Sequence, residues 1–100
     1  MCGIFGIIDS KEINIDNFNN SLLKLKHRGP DNQSSIKINK NIAFGHVRLS
    51  IIDLSNNNNQ PYNFKNKYFL IFNGEIFNYV EIKDLLVNKG YKFKTSGDTE

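Results

Sequence analysis

The sequence predicts an α+β domain in which strands and helices layer over one small core. Three observations carry that reading. An Ile-rich apolar segment occupies residues 2–8, apolar residues recur at helical spacing between Ile13 and His27, and a second strand-then-helix succession runs from Lys67 to Gly90. One hundred residues allow one small domain, which buries a modest share of its surface.

Cys2–Ile8 reads as a buried strand closed by Asp9-Ser10, with Gly3 and Gly6 where backbone can approach a ligand. From Ile13 to His27 the spacing of Ile15, Phe18, Leu22 and Leu25 predicts an amphipathic helix that starts near Asn14 or Asp16. Arg28-Gly29-Pro30-Asp31 breaks the period as a turn. Ser35–Ile38 and Ile42–Ile52 are expected to form a hairpin turning at Asn39-Lys40-Asn41, and Asn56–Asn59 is a polar loop. Lys67–Phe72 is the clearest strand, because aromatic and β-branched residues crowd it. It delivers Asn73-Gly74, a dipeptide suited to a tight turn. Asn78 with Glu81 predicts a capping-box start to a helix whose apolar face is Ile82, Leu85 and Leu86 and whose stop is Gly90. Tyr91–Thr95 alternates as a short strand, and Asp98-Thr99-Glu100 is expected to open another helix.

Composition narrows the function classes. The 13 Lys and Arg are interleaved with 10 Asp and Glu, so the net charge of +3 reads as a solvated surface and not as a nucleic-acid footprint. A single cysteine excludes an internal disulfide framework and fits a reducing compartment. No cationic start with an apolar stretch precedes Cys2, and no apolar run approaches the roughly 20 residues of a membrane span. A soluble, cytoplasmic protein without nucleic-acid or membrane partners is therefore expected. No His or Cys pair has metal-ligand spacing, and no Gly-rich phosphate loop is present.

Chemistry concentrates at the start. Removal of Met1 would put the only thiol and the free α-amine on the same residue, Cys2. The thiolate is the nucleophilic form, and an N-terminal amine that titrates near roughly 7.7–8.0 serves as its base. Taken alone, Cys2 reads better as a small hydrophobe that starts a buried strand. Further along come His27-Arg28-Gly29-Pro30-Asp31, Gly45-His46-Val47-Arg48-Leu49-Ser50-Ile51-Ile52-Asp53, Gln60-Pro61, Phe72-Asn73-Gly74-Glu75 and Ser96-Gly97-Asp98.

In this order and spacing the motifs resemble the glutamine-hydrolysing domain of class II glutamine amidotransferases, most closely that of the glutamine-dependent asparagine synthetases. The resemblance runs over the whole chain. It implies an N-terminal-nucleophile hydrolase fold, an αββα sandwich of which residues 1–100 are the N-terminal portion. The remainder of that domain and a C-terminal synthetase domain are expected to be absent from the chain.

The resemblance also implies roles. Cys2 is the nucleophile that passes through a thioester. Asn73, through its side-chain amide, and Gly74, through its backbone N–H, form the oxyanion hole. Arg48 clamps the α-carboxylate of L-glutamine, a match for its planar fork. Leu49, Ser50, Ile51 and Ile52 line the pocket, while Glu75 and Asp98 meet the α-ammonium group. For these last two, a helix-start acid is the competing role. The family pattern has Ser directly before this Asp, whereas Gly97 intervenes here. His27, Arg28 and Asp31 are read as scaffold, and His46 as a satisfied structural histidine. No cofactor is expected in this segment; ATP and Mg²⁺, with aspartate as acceptor and a full-length homodimer, belong to the implied synthetase. Two alternatives stand beside that function: the same glutaminase feeding another acceptor such as a sugar or polysaccharide precursor, and a truncated, non-catalytic module that binds glutamine or a partner. The 100 residues alone are expected to turn over glutamine poorly.

Overall fold

The computed structural model describes residues 2–51 and 54–100. In chain order it contains β1 (Gly3–Ile8), α1 (Ile15–Leu23), β2 (Asn32–Asn39), β3 (Ile42–Arg48), β4 (Tyr62–Phe64), β5 (Tyr68–Leu70) and α2 (Tyr79–Asn88). The strands form two antiparallel sheets, a three-stranded one in the order β1-β3-β2 and a β4-β5 ribbon.

The central strand organises the fold. β3 pairs with β1 from Gly3 opposite Val47 to Ile8 opposite Ile42, and with β2 from Asn32 opposite Arg48. Side chains alternate across a sheet, so one face carries Phe5, Ile7, Ala43 and Val47 and receives α1. Phe18 and Leu22 of α1 are buried there, and Ile13, Ala43 and Val47 complete the buried apolar set. Phe5 and Phe18 lie with ring centroids 4.8 Å apart. The other face carries Phe44, His46 and Arg48 toward the side from which Ile71 approaches Gly6.

Several elements differ in length from their sequence pattern, and in most of them a side chain takes the backbone group that the element would need. α1 is capped by Asn14, whose Oδ1 accepts from Asn17 N at 3.0 Å, so Ile13 stays outside the helix and bonds to Lys40 O. At its other end Lys24 N donates to Ser21 O and Leu25 N to Leu22 O, and the chain tightens into a 3₁₀ turn at Lys26–Arg28 instead of continuing as an α-helix to His27. β2 begins at Asn32, three residues before the expected Ser35.

β5 stops at Leu70 because the Gln60 side chain captures both backbone groups of Phe72: Nε2 donates to its carbonyl, and Oε1 accepts from its N–H. The three-residue β4 has too little alternation to signal itself in the sequence. Its hairpin with β5 turns through Lys65 and Asn66, both at positive φ.

The Tyr91–Thr95 strand does not form, since the Glu100 carboxylate accepts from Lys94 N and Thr95 N, the donors a ladder would use. The same use of Glu100 replaces the helix expected at residues 98–100. Asn78 makes no side-chain cap to α2. The predicted stop is present: Tyr91 N donates to Leu86 O and Gly90 N to Val87 O, with Gly90 at φ 91, the double bond of a Schellman motif. α2 buries no residue, and Val80, Leu85 and Val87 are exposed.

Stability should therefore depend on α1 far more than on α2. Leu22→Ala is expected to cost about 2–5 kcal/mol, whereas Val80→Ala should stay within about 0.5 kcal/mol; urea unfolding followed by circular dichroism measures both.

Candidate active site

Cys2 sits one residue before β1, so the Gly3–Val47 pairing carries it to the end of β3. Its Sγ meets both backbone groups of Leu49, accepting from the N–H at 3.4 Å and facing the carbonyl at 3.6 Å. Together the two contacts fix the sulfur at the end of β3. Arg28 Nε donates to the Cys2 carbonyl at 3.0 Å, so the main chain of the same residue is also held.

The turn at residues 28–31 explains why β3 ends at Arg48 and does not run to Ile52. Asp31 N donates to Arg48 O at 3.0 Å, and the Asp31 carboxylate accepts from Ser50 N at 2.7 Å. With Leu49 N given to sulfur and Ser50 N to Asp31, the donors that would extend the ladder are already used. Gly29 makes this approach sterically accessible. A Cβ there would fall within the van der Waals shells of Val47 C, Val47 O and Arg48 N.

Arg48 is buried, at 5 % exposure, and its Nη1 donates to Ser55 O and Asn59 Oδ1, both at 2.8 Å. These bonds orient the guanidinium and tie the loop after β3 to the sheet. Gln60, also buried, adds a bond from Nε2 to Thr99 Oγ1 at 3.2 Å to its clasp on Phe72. That clasp joins the end of β5 to the 98–100 segment.

Around these anchors lies a cavity of about 300 Å³. Of the residues singled out in the sequence, Cys2, Arg48, Leu49, Ile51, Asn73, Gly74, Glu75 and Asp98 all line it. Ser50 is not among the lining residues and is bound to Asp31 instead. Ile52 lies outside the described residues. Asn73 and Gly74 are exposed and lie beyond β5 in an open bend, so Asn-Gly is not a hairpin turn here. Asp98 Oδ2 accepts from Ile76 N at 2.9 Å, which fixes the carboxylate against the segment that follows Glu75. Among the described residues no three His, Cys, Asp or Glu side chains converge as a metal shell requires.

A family model described as a glutamine amidotransferase domain matches residues 1–100. The chain belongs to the glutamine amidotransferase domain family. The fold is accordingly that of a class II, N-terminal-nucleophile amidotransferase domain. Over 106 residues the domain is 39 % identical to asparagine synthetase (glutamine-hydrolysing) 1 of Bacillus subtilis, matching all of this chain and 16 % of that protein. It is 34 % identical over 103 residues to asparagine synthetase B (glutamine-hydrolysing) of Escherichia coli, again over all of this chain and 18 % of the relative. A Penicillium rubens protein named amidase chyE is 39 % identical over 87 residues, 86 % of this chain and 13 % of that protein. The chain thus spans less than a fifth of the length of these relatives.

Two buried groups of the amidotransferase domain, Gln60 and His46, were not read correctly from the sequence. Gln60 was visible only as part of a Gln-Pro pair after a polar loop, a pattern that does not reveal a side chain replacing a strand partner. His46 departs from expectation. It is 1 % exposed, and neither ring nitrogen has a hydrogen-bond partner among the described residues. It is not a satisfied structural histidine. Burial pulls its pKa below the usual 6.5; the Phe72 main chain, close to the ring but outside hydrogen-bond geometry, acts in the opposite sense, and the Arg48 charge pushes it further down. Burial and the Arg48 charge thus favour the uncharged ring. A buried polar group left unmatched costs about 1–3 kcal/mol. Asn32 Oδ1, on the residue opposite Arg48, is likewise buried without a partner among the described residues.

Next to Thr99, Glu100 accepts from the Tyr62 hydroxyl at 2.9 Å as well as from Lys94 and Thr95. Burial raises its pKa, and the bonds from Thr95, Tyr62 and Lys94 together outweigh burial, leaving it below the ordinary value. For Tyr62, burial first and then the Glu100 bond and charge push the phenol up to about 12.

A carboxylate with a depressed folded pKa stabilises the fold above its unfolded pKa of 4.5, and that contribution is lost as pH falls through the folded value. The urea midpoint should therefore decline below pH 4.5, and Glu100→Gln should lower it at pH 7 while flattening the decline. Gly29→Ala should cost about 1–3 kcal/mol by overpacking, and it should shift the amide resonances of Leu49 and Ser50 in an NMR spectrum.

Proposed function

We propose that this domain hydrolyses the side-chain amide of L-glutamine through Cys2 and supplies ammonia for the ATP-dependent amidation of aspartate. The observation that carries the reading is Cys2 Sγ on the wall of a cavity that also presents Arg48, Asn73, Glu75 and Asp98. An electrophile, an α-carboxylate and an α-ammonium group each find an opposite partner there. The glutamine-hydrolysing synthetases among the relatives support the same assignment.

With Met1 removed, the Cys2 α-amine takes the thiol proton, and Sγ attacks the carboxamide carbon. The carbonyl π electrons move onto oxygen, where the Asn73 amide and the Gly74 N–H donate to it. When the oxyanion collapses, the C–N bond breaks, and the α-ammonium returns the proton to departing ammonia. Water, giving its proton to the same amine, then attacks the thioester; the C–S bond breaks, and the thiolate leaves and is reprotonated, releasing glutamate. Leu49 N stabilises the thiolate in the steps where it carries charge. Arg48 receives the substrate carboxylate, and Glu75 with Asp98 receives the ammonium, a pair that selects a free amino acid over a peptide-linked glutamine. Adenylation of aspartate with ATP and Mg²⁺ belongs to a synthetase portion outside these residues, in a homodimeric, cytoplasmic enzyme.

A second reading keeps the glutaminase and changes the acceptor. It is favoured by the relative named an amidase, which matches 86 % of the chain at the same 39 % identity as the Bacillus synthetase.

The test is ammonia release from glutamine by the protein as its gene encodes it. Cys2→Ala should abolish release, and an unchanged rate rejects the reading. Asn73→Ala should lower turnover by about 10²–10³. Intact mass should show Cys2 as the first residue, because a retained methionine or an acetylated terminus removes the base.

A further inference from the structure

The face of β3 that carries Arg48 also holds polar groups to which the glutaminase mechanism gives no role. His46 stands opposite Ile4 of β1 and Ser34 of β2, and Arg48 stands two residues on, opposite Asn32. Register places these side chains on one sheet face, and both His46 and Arg48 line the cavity that Cys2 lines. Among the described residues, His46 is 1 % exposed with neither ring nitrogen matched, and Asn32 Oδ1 is likewise buried and unmatched. Native structures hydrogen-bond roughly nine in ten or more of their buried polar groups. Two of these orphan atoms belong to a ring that lines the cavity, and they mark where a polar ligand group belongs.

A neutral imidazole offers one donor and one acceptor. The groups around this ring divide the substrate between them. If Asn73 and Gly74 take the amide oxygen and the Leu49 carbonyl beside Cys2 Sγ takes one N–H, the second N–H of the amide –NH₂, which can only donate, is left. A lone pair on a buried ring nitrogen is its complement. Arg48, by its positive charge, favours the uncharged ring that has such a lone pair.

We propose that His46 is a specificity-determining contact of this pocket: one ring nitrogen accepts a hydrogen bond from the carboxamide –NH₂ of bound glutamine. This rests on the glutamine reading above and adds to it a reason for amide selectivity. Glutamate presents oxygens to the same lone pair and has no N–H to give, so the site repels the product carboxylate while it retains the substrate amide.

His27 and His46 are the two histidines of the sequence, and His27 is exposed, so ring-¹⁵N labelling separates them. With Cys2→Ala to prevent turnover, saturating glutamine should shift the His46 ring resonances into one neutral tautomer, and glutamate should bind more weakly by about tenfold. In protein that retains Cys2, His46→Leu should raise the KM for glutamine by about five- to tenfold. His46→Gln, which keeps an acceptor, should recover most of that loss. Alkylation of Cys2 in the absence of glutamine should be unchanged in both.

Glutamine binding with unmoved His46 resonances overturns the inference while leaving the glutaminase reading intact, and so does an equal loss in His46→Leu and His46→Gln. Absence of glutamine binding by the protein with its own Cys2 overturns the functional reading and this inference with it.

Discussion

The end of β3 is where the structure is most constrained. Within three residues, Arg48 O accepts from Asp31, Leu49 N donates to the Cys2 sulfur, and Ser50 N donates to the Asp31 carboxylate. Each of these backbone groups would otherwise continue a ladder, and each is given to a partner that serves the cavity. The strand must therefore stop there. Arg48 then projects into the space it leaves, with its guanidinium braced by Ser55 and Asn59. A turn that looks like ordinary punctuation, Arg28-Gly29-Pro30-Asp31, thus sets the position of a sulfur and an arginine together.

The same device recurs on the opposite wall. The Gln60 amide binds both the N–H and the carbonyl of Phe72 and ends β5 two residues short of it. Beyond that point Asn73 and Gly74 lie exposed to the cavity, not folded back into a hairpin. Asp98 holds Ile76 N, and Glu100 holds the 94–95 backbone. Side chains substituting for sheet partners let two sheets end facing one another with a cavity between. A buried hydrogen bond adds only about 0.5–1.5 kcal/mol net, but leaving those backbone groups unmatched would cost more. The pattern is therefore strongly enforced wherever the cavity walls are buried.

The core is arranged so that this geometry has a firm base on one side. Phe18 and Leu22 are packed against the apolar face of the three-stranded sheet, directly behind the strand that carries His46 and Arg48. α2 buries nothing comparable and touches the 93–100 segment through Lys83, which donates to Thr95 O and lies over the Phe93 ring. Rigidity is concentrated beneath the arginine and the cysteine, while the acidic wall depends on polar ties.

The sequence by itself determined the layered α+β class, the α1 core stripe, the Gly90 stop and the family. Motif identity and spacing, which are local properties, also pointed to Cys2, Arg48, Asn73, Glu75 and Asp98, which line the cavity; they pointed as well to Ser50, which does not, and gave no site role to Gln60 or Thr99, which do line it. Element lengths were less legible: β3 and β5 end early, the 91–95 strand dissolves, and β4 emerges without a signal. Backbone donors in those places are claimed by Cys2, Asp31, Gln60 and Glu100, partners 5 to 47 residues distant. Only the tertiary structure could decide that His46 is buried without a partner and Ser50 turned to Asp31. Satisfaction of a polar group depends on what surrounds it in space, and no periodicity along the chain records that.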